Sequence, residues 1–349
     1  MKIDFGPLQA LLNDSSITEI MVNAPDSIFV EHRGLLVETS QRFIDERALW
    51  DLIFAILHCE GKDQTQGLSF DGILPNGSRY NITLPPMSVK FPSLTIRKFQ
   101  SKRMSLSDLV ANKSLSDKAA YFLSQAVKAK MNILVSGGTG SGKTSFLQAL
   151  AFEIGAEERI VTIEDVGELK MPQKNWVQLL SVKGGPHPVT ARDCLVNSLR
   201  MRPDRIIVGE CRKDETFEML QAMNTGHEGS MTTIHANSPV ECLMRLENLL
   251  MMSKVEMPLK ALRQQIAASV NFVVQIKRLT NGQRIVSEIL EVSGMEGDVI
   301  TRAPVFSLDS KQELVPAGYM PRHDKTMKAR GVTFPEGFFD PARPFRKAS

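Results

Sequence analysis

The chain has little that would tie it to a membrane, to nucleic acid or to an oxidising compartment. No apolar run approaches the roughly 20 residues that a helix needs to span a bilayer. The first residues lack the basic, apolar and small-residue order of a secretory signal. Lys and Arg number 42 against 39 Asp and Glu, a net charge of +3 that is too small to argue for a polyanionic partner. Aromatics are sparse, with 2 Trp, 3 Tyr and 17 Phe in 349 residues, and they form no basic or stacking stripe for single strands. Cysteine is scarce too. Cys59, Cys194, Cys211 and Cys242 show no C-x-x-C spacing, which predicts free thiols in a reducing compartment. These absences predict a cytoplasmic chain without a nucleic-acid partner, whose membrane association is peripheral and made through other proteins.

What is present begins with Gly137-Gly138-Thr139-Gly140-Ser141-Gly142-Lys143-Thr144, which fits the phosphate-loop pattern G-x-x-x-x-G-K-[ST]. Its flanks suit the mechanism. Ile133-Leu134-Val135 reads as a buried strand, and Thr144 opens a stretch with apolar positions at Phe146, Leu147, Leu150, Ala151 and Ile154 at helical spacing. Glycines let backbone N–H groups close around phosphate oxygens, and a helix N-terminus adds the positive end of its dipole. The pattern predicts a nucleoside triphosphate held by Gly138, Thr139, Gly140, Ser141, Gly142, Lys143, Thr144 and Ser145. Lys143 would reach the β- and γ-phosphates, and the Thr144 hydroxyl would hold Mg²⁺.

Three later segments place polar residues at the carboxyl end of a β-like run, where open parallel sheets keep their ligands. Ile160-Val161-Thr162-Ile163 runs into Glu164-Asp165, with Glu168 beyond; Arg205-Ile206-Ile207-Val208-Gly209 runs into Glu210; Ser230-Met231-Thr232-Thr233-Ile234 runs into His235. One solvated strand end would be ordinary. Three in series after a phosphate loop predict a composite nucleotide site.

The series resembles the secretion and pilus-assembly ATPases, the motors of type II and type IV secretion and of type IV pili. The order matches: phosphate loop, an acidic box (Glu164-Asp165-Val166-Gly167-Glu168), an atypical second nucleotide motif (Ile207-Val208-Gly209-Glu210) and a histidine box around His235. Within that superfamily the chain looks most like the CpaF/TadA branch of Tad (Flp) pilus assembly. Leu199-Arg200-Met201-Arg202-Pro203-Asp204-Arg205 and His235-Ala236-Asn237-Ser238-Pro239 carry that likeness, with Thr18-Glu19-Ile20-Met21-Val22-Asn23 and Thr95-Ile96-Arg97-Lys98-Phe99 outside the nucleotide motifs. The resemblance implies an α/β fold, a RecA-like P-loop ATPase domain preceded by a smaller α+β N-terminal domain. It implies Mg²⁺-dependent ATP hydrolysis by a ring of six copies, working with inner-membrane platform proteins at the cytoplasmic face to assemble a Tad/Flp pilus or drive secretion. A conjugation-type type IV secretion ATPase is the alternative.

In site roles, the resemblance makes Glu168 the first candidate for the carboxylate that orients or deprotonates water, with Glu164 second and Glu210 acting through the metal's water shell. His235 would hydrogen-bond the γ-phosphate, and Arg97 and Arg79 of the N-terminal module would supply positive charge to nucleotide. Departures accompany it. Lys130-Met131-Asn132 stands where the family usually carries Arg-Leu-Asn, and a point charge lacks the guanidinium fork. Ser181-Val182-Lys183-Gly184-Gly185-Pro186 replaces an Arg-Pro-Pro-Asn run. The missing C-x-x-C module argues against the typical type II secretion ATPase with its zinc insert.

Pattern divides the chain into an α+β module over 1–100, a linker over 101–112 in which Gln100-Ser101-Lys102-Arg103 is the link itself and Leu106 to Leu109 begins the motor, a motor body over 113–305, and a proline-punctuated tail over 306–349 packed on the motor. In the first module Leu8 to Leu12 reads as a helix. Ile28-Phe29-Val30-Glu31 and Leu35-Leu36-Val37 flank His32-Arg33-Gly34 as a hairpin, Arg47 to Cys59 reads as an amphipathic helix, and Leu74 to Ser78 as a turn. His227 stands open between site and structural roles. Met223, Met231, Met244, Met251 and Met252 read as core or partner contacts. Two other classes share the phosphate loop: a RecA-like nucleic-acid translocase, and a nucleotide-gated scaffold without turnover.

Overall fold

The computed structural model describes residues 3–99, 104–182, 186–253, 256–343 and 345. The 100–103 segment expected to open the linker and Lys183-Gly184-Gly185 lie outside the described residues. The chain separates into two compact units, Met1–Lys102 with Thr280–Gln283, and Arg103–Leu279 with Arg284–Ser349.

The first unit carries α1 (Leu8–Asn13), β1 (Ile17–Ala24), β2 (Ser27–His32), β3 (Leu35–Glu38), α2 (Glu46–Cys59), β4 (Ser69–Ile73), β5 (Arg79–Thr83) and β6 (Ser93–Arg97). Its strands form one antiparallel sheet in the order β3-β2-β1-β6-β5-β4. Arg33 and Gly34 both have positive φ, +49° and +81°, as a two-residue hairpin turn between right-twisted strands requires. The α2 helix buries Leu49, Leu52, Ile53, Ile56 and Leu57 on one stripe. The Asp45 carboxylate caps it by accepting from the Ala48 N–H at 2.8 Å.

The second unit carries α3 (Leu106–Ala111), α4 (Asp117–Lys128), β7 (Ile133–Gly137), α5 (Lys143–Ala151), β8 (Ile160–Glu164), β9 (Trp176–Leu180), α6 (Ala191–Ser198) and β10 (Arg205–Val208). It continues through α7 (Glu215–Asn224), β11 (Met231–His235), α8 (Pro239–Met252), α9 (Leu259–Ser269), β12 (Phe272–Arg278), β13 (Arg284–Glu296), β14 (Val299–Leu308), β15 (Leu314–Pro316) and α10 (Asp324–Ala329). The sheet order is β15-β14-β13-β12-β7-β11-β10-β8-β9. The six strands from β12 to β9 are parallel, and β13 to β15 extend the sheet antiparallel. Both faces are covered: Ile133 and Val135 of β7 enter one core, and Leu134 enters the other.

Two boundaries differ from the sequence reading. Within the expected linker, residues 106–111 are helical. Ser105 and Asp108 form a reciprocal capping box, and Leu106 and Leu109 are buried in the second unit's core. The motor was expected to end at 305, but β14 runs through that point and β15 pairs with it, because prolines at 304 and 316 are tolerated near a sheet edge. Phe334, Phe338 and Phe339 of the following segment are packed on Phe122 of α4 or on each other.

Candidate functional site

The phosphate loop joins the end of β7 to α5. Gly140 and Gly142 have φ of +68° and +91°, the left-handed region that a Cβ disfavours. Gly142 is the N-cap of α5 and offers no side-chain cap. The first N–H groups of that nine-residue helix therefore face the loop without a capping side chain. A Cβ on Gly138 would meet nothing within 4 Å. Loop and helix end are thus built to receive an anion, and the residues present fit a nucleotide phosphate chain. Thr144 is half-buried on the first turn of α5, and Ser145 beside it is exposed.

Lys143 is only 7% exposed. Its Nζ donates to the Gly138 carbonyl at 3.0 Å and lies 3.3 Å from both ring nitrogens of His235. Adjacent strands explain the meeting: His235 ends β11 and pairs in register with Gly137. His235 Nε2 is also 3.0 Å from Glu210 Oε1, and the other Glu210 oxygen accepts from Arg212. Arg212 lies 3.8 Å from Asp165 as well. Burial, then the Lys143 charge, lower the His235 pKa, and Glu210 only partly opposes them.

The two acidic-box candidates occupy different settings. Glu164 is 5% exposed at the end of β8. Its Oε1 accepts from the N–H groups of Glu168 and Leu169 at 3.0 and 2.9 Å, and its Oε2 accepts from Gln178 at 2.8 Å. Burial raises its pKa against those hydrogen bonds, and the Glu168 charge pushes the same way. Glu168 is half-buried on the loop that Glu164 holds. No group of three or more His, Cys, Asp or Glu among the described residues is arranged to hold a metal.

Sequence reasoning missed three arginines here. Arg212 bridges Glu210 and Asp165. Arg278 and Arg284, opposite each other where β12 and β13 begin their hairpin, lie against the loop. Arg284 donates from Nε to the Gly140 carbonyl at 2.9 Å, and Arg278 NH1 lies 3.3 Å from where a Gly140 Cβ would stand. Only the pairing of distant strands brings them in, and no local motif announces it.

Other candidates lie elsewhere. Lys130 precedes β7, at the end opposite the phosphate loop, and pairs with Glu158 at 3.2 Å, which removes it as a phosphate contact. His227 precedes β11 at that same far end. Met223 and Met231 are buried in core, whereas Met244, Met251 and Met252 are exposed on α8. In the first unit Arg79 and Arg97 are direct cross-strand partners on β5 and β6, and Glu19 pairs with Arg97 from the other side, 4.0 Å between Nε and Oε1.

The family model described as type II/IV secretion system protein matches residues 2–291. Conjugal transfer protein TrbB of Rhizobium radiobacter is 34% identical over 289 residues, covering 81% of this chain and 86% of that protein. Type IV secretion system protein VirB11 of Bartonella quintana is 33% identical over 328 residues, covering 81% and 90%. Among solved structures, the Legionella pneumophila ATPase DotB superposes with a TM-score of 0.61 at 22% identity, covering 82% of this chain and 80% of that one. The fold is that of the secretion and pilus ATPases, a RecA-like domain preceded by a smaller N-terminal domain. These relatives favour the conjugation-type alternative over the Tad pilus reading, for which they offer nothing specific.

Proposed function

The chain belongs to the type II/IV secretion system protein family, and on that premise we propose that it is a Mg²⁺-dependent ATPase. It works as a ring-forming motor of a conjugation-type type IV secretion apparatus. The observation that carries the reading is the convergence of Lys143, at the start of α5, with His235 and Glu210, from the ends of the neighbouring parallel strands β11 and β10. In this account Lys143 trades its present contacts with Gly138 and His235 for the β- and γ-phosphates of ATP. Glu168 orients or deprotonates the attacking water, Glu164 anchors the Glu168 loop, and His235 hydrogen-bonds the γ-phosphate. The Thr144 hydroxyl and, through water, Glu210 would hold Mg²⁺, which would supply charge neutralisation at the phosphates. By the family resemblance, Arg97 and Arg79 are the further candidates for positive charge in the catalytic cycle.

Copies packed head to tail close as a ring, with six expected, and inner-membrane proteins at the cytoplasmic face are the partners. The Tad/Flp pilus reading keeps the support of its motif resemblance alone. A deletion strain decides between the two. Loss of conjugative transfer, restored by the wild-type gene but not by Lys143→Ala, supports the secretion motor. Loss of a surface filament with transfer intact restores the pilus reading.

A further inference from the structure

The side chain of Gln275, 1% exposed on β12, contributes a hydrogen bond that joins the two flanks of the phosphate loop. Its backbone pairs with Ser136 of β7, and β7 separates β12 from β11. The amide nevertheless reaches past the small Ser136 side. Nε2 donates to the Ala236 carbonyl at 3.3 Å, directly after His235, and lies 3.4 Å from the Ile276 carbonyl. Two carbonyl neighbours fix which end of the amide faces them, since a flipped amide would set oxygen against oxygen. Gln275 Oε1 has no hydrogen-bond partner among the described residues. A buried acceptor left unsatisfied costs free energy, and an apolar side chain of the same length would fill the site without that cost. Features kept against local stability concentrate at functional sites.

We propose that Gln275 is a positioning residue that ties the His235 end of β11 to the strand bearing Arg278. The inference rests on the nucleotide reading of the site. A change at His235 when γ-phosphate is present then moves the Ala236 carbonyl, and through Gln275 it reaches β12 and the arginine side of the loop. Neither Arg278 nor Arg284 needs to touch His235 for the two sides to respond together.

The test uses full-length Gln275→Met, which keeps length and removes both the donor and the orphan acceptor. Ser287→Ala is the control. It deletes only the 3.4 Å bond from Ser287 to the Gln275 carbonyl. Expected for Gln275→Met are an unchanged or raised melting temperature, ADP affinity within about twofold of wild type, and a kcat lower by roughly ten- to a hundredfold, the scale of a displaced catalytic group. Ser287→Ala should keep kcat. Hydrogen exchange gives a readout independent of turnover. A nonhydrolysable ATP analogue, compared with ADP, should slow exchange in 232–238 and 272–278 together in wild type, and in 232–238 alone in Gln275→Met. Wild-type protein that shows joint protection but no turnover would sink the hydrolase reading and leave the Gln275 link standing. Normal kcat with joint protection in Gln275→Met would overturn the link. So would a kcat loss that tracks a lower melting temperature and weaker ADP binding.

Discussion

His235, which ends β11, and Glu210, two residues beyond the neighbouring parallel strand β10, meet at 3.0 Å between Nε2 and Oε1. Lys143 closes on the same imidazole from the phosphate loop. The histidine thus sits between a carboxylate and an ammonium, and burial with the ammonium outweighs the carboxylate.

The first prediction follows from that balance. The folded-state pKa of His235 is lowered, so its contribution to stability is fully present above the unfolded value, about 6.5. It is lost as pH falls through the lower folded value. Imidazole NMR should give a His235 midpoint below 6.5. Urea unfolding of His235→Asn should lose less stability than wild type on acidification through that window. A midpoint at or above 6.5 would show that Glu210 governs the ring.

Glu168 and Glu164 should separate in kinetics. Glu168→Gln should keep ATP binding and lose most turnover, about 10²-fold or more for a lost general base. Glu164→Gln still offers an amide oxygen to the Glu168 and Leu169 N–H groups and should keep more activity. Glu164→Ala leaves those groups unpaired and should cost about 1–3 kcal/mol in urea unfolding. Normal hydrolysis by Glu168→Gln, with loss in Glu164→Gln, would swap the roles.

Arg205 is fully buried, although the sequence resemblance offered it only as part of a matching run. Its guanidinium donates to Glu158 at 2.7 and 3.0 Å and to the Val127 and Gly229 carbonyls. Arg205→Ala strands the Glu158 carboxylate and should cost about 3–5 kcal/mol. Chemical denaturation checks this, and a cost below 1 kcal/mol would mean that Lys130 alone satisfies Glu158.

The nucleotide strands were legible because each carries its own signature: β-branched runs ending in Glu164, Glu210 or His235, and glycines before Lys143. The first module's hairpin was legible through Arg33-Gly34. What the sequence hid depends on distant pairing. Arg284 reaches Gly140 only because β13 pairs with β12 and β12 lies beside β7, and Gln275 reaches Ala236 across an intervening strand. Leu106 to Leu109 marked the start of the motor in the sequence, but the six residues of α3 are too few to show a helical period.

Arg79 and Arg97 are direct cross-strand partners on β5 and β6, and Glu19 on β1 already faces Arg97 from its other side. If Arg97 serves the γ-phosphate, Arg97→Ala should lower kcat by about 10³-fold, near 4 kcal/mol, with a smaller effect on ADP affinity. Arg97→Lys should restore little, because it lacks the planar fork. Equal weakening of ATP and ADP binding at normal kcat would make Arg97 a static binding residue.

Steady-state phosphate release by the purified full-length protein, with Mg²⁺ and ATP, tests the central claim most directly. Wild type should turn over, and Lys143→Ala should fall by at least about a hundredfold, near 2.7 kcal/mol of lost transition-state stabilisation. Its melting temperature should stay close to wild type. Unchanged phosphate release in Lys143→Ala, or none from the wild-type oligomer, would contradict the assignment of an ATP-hydrolysing motor to this site.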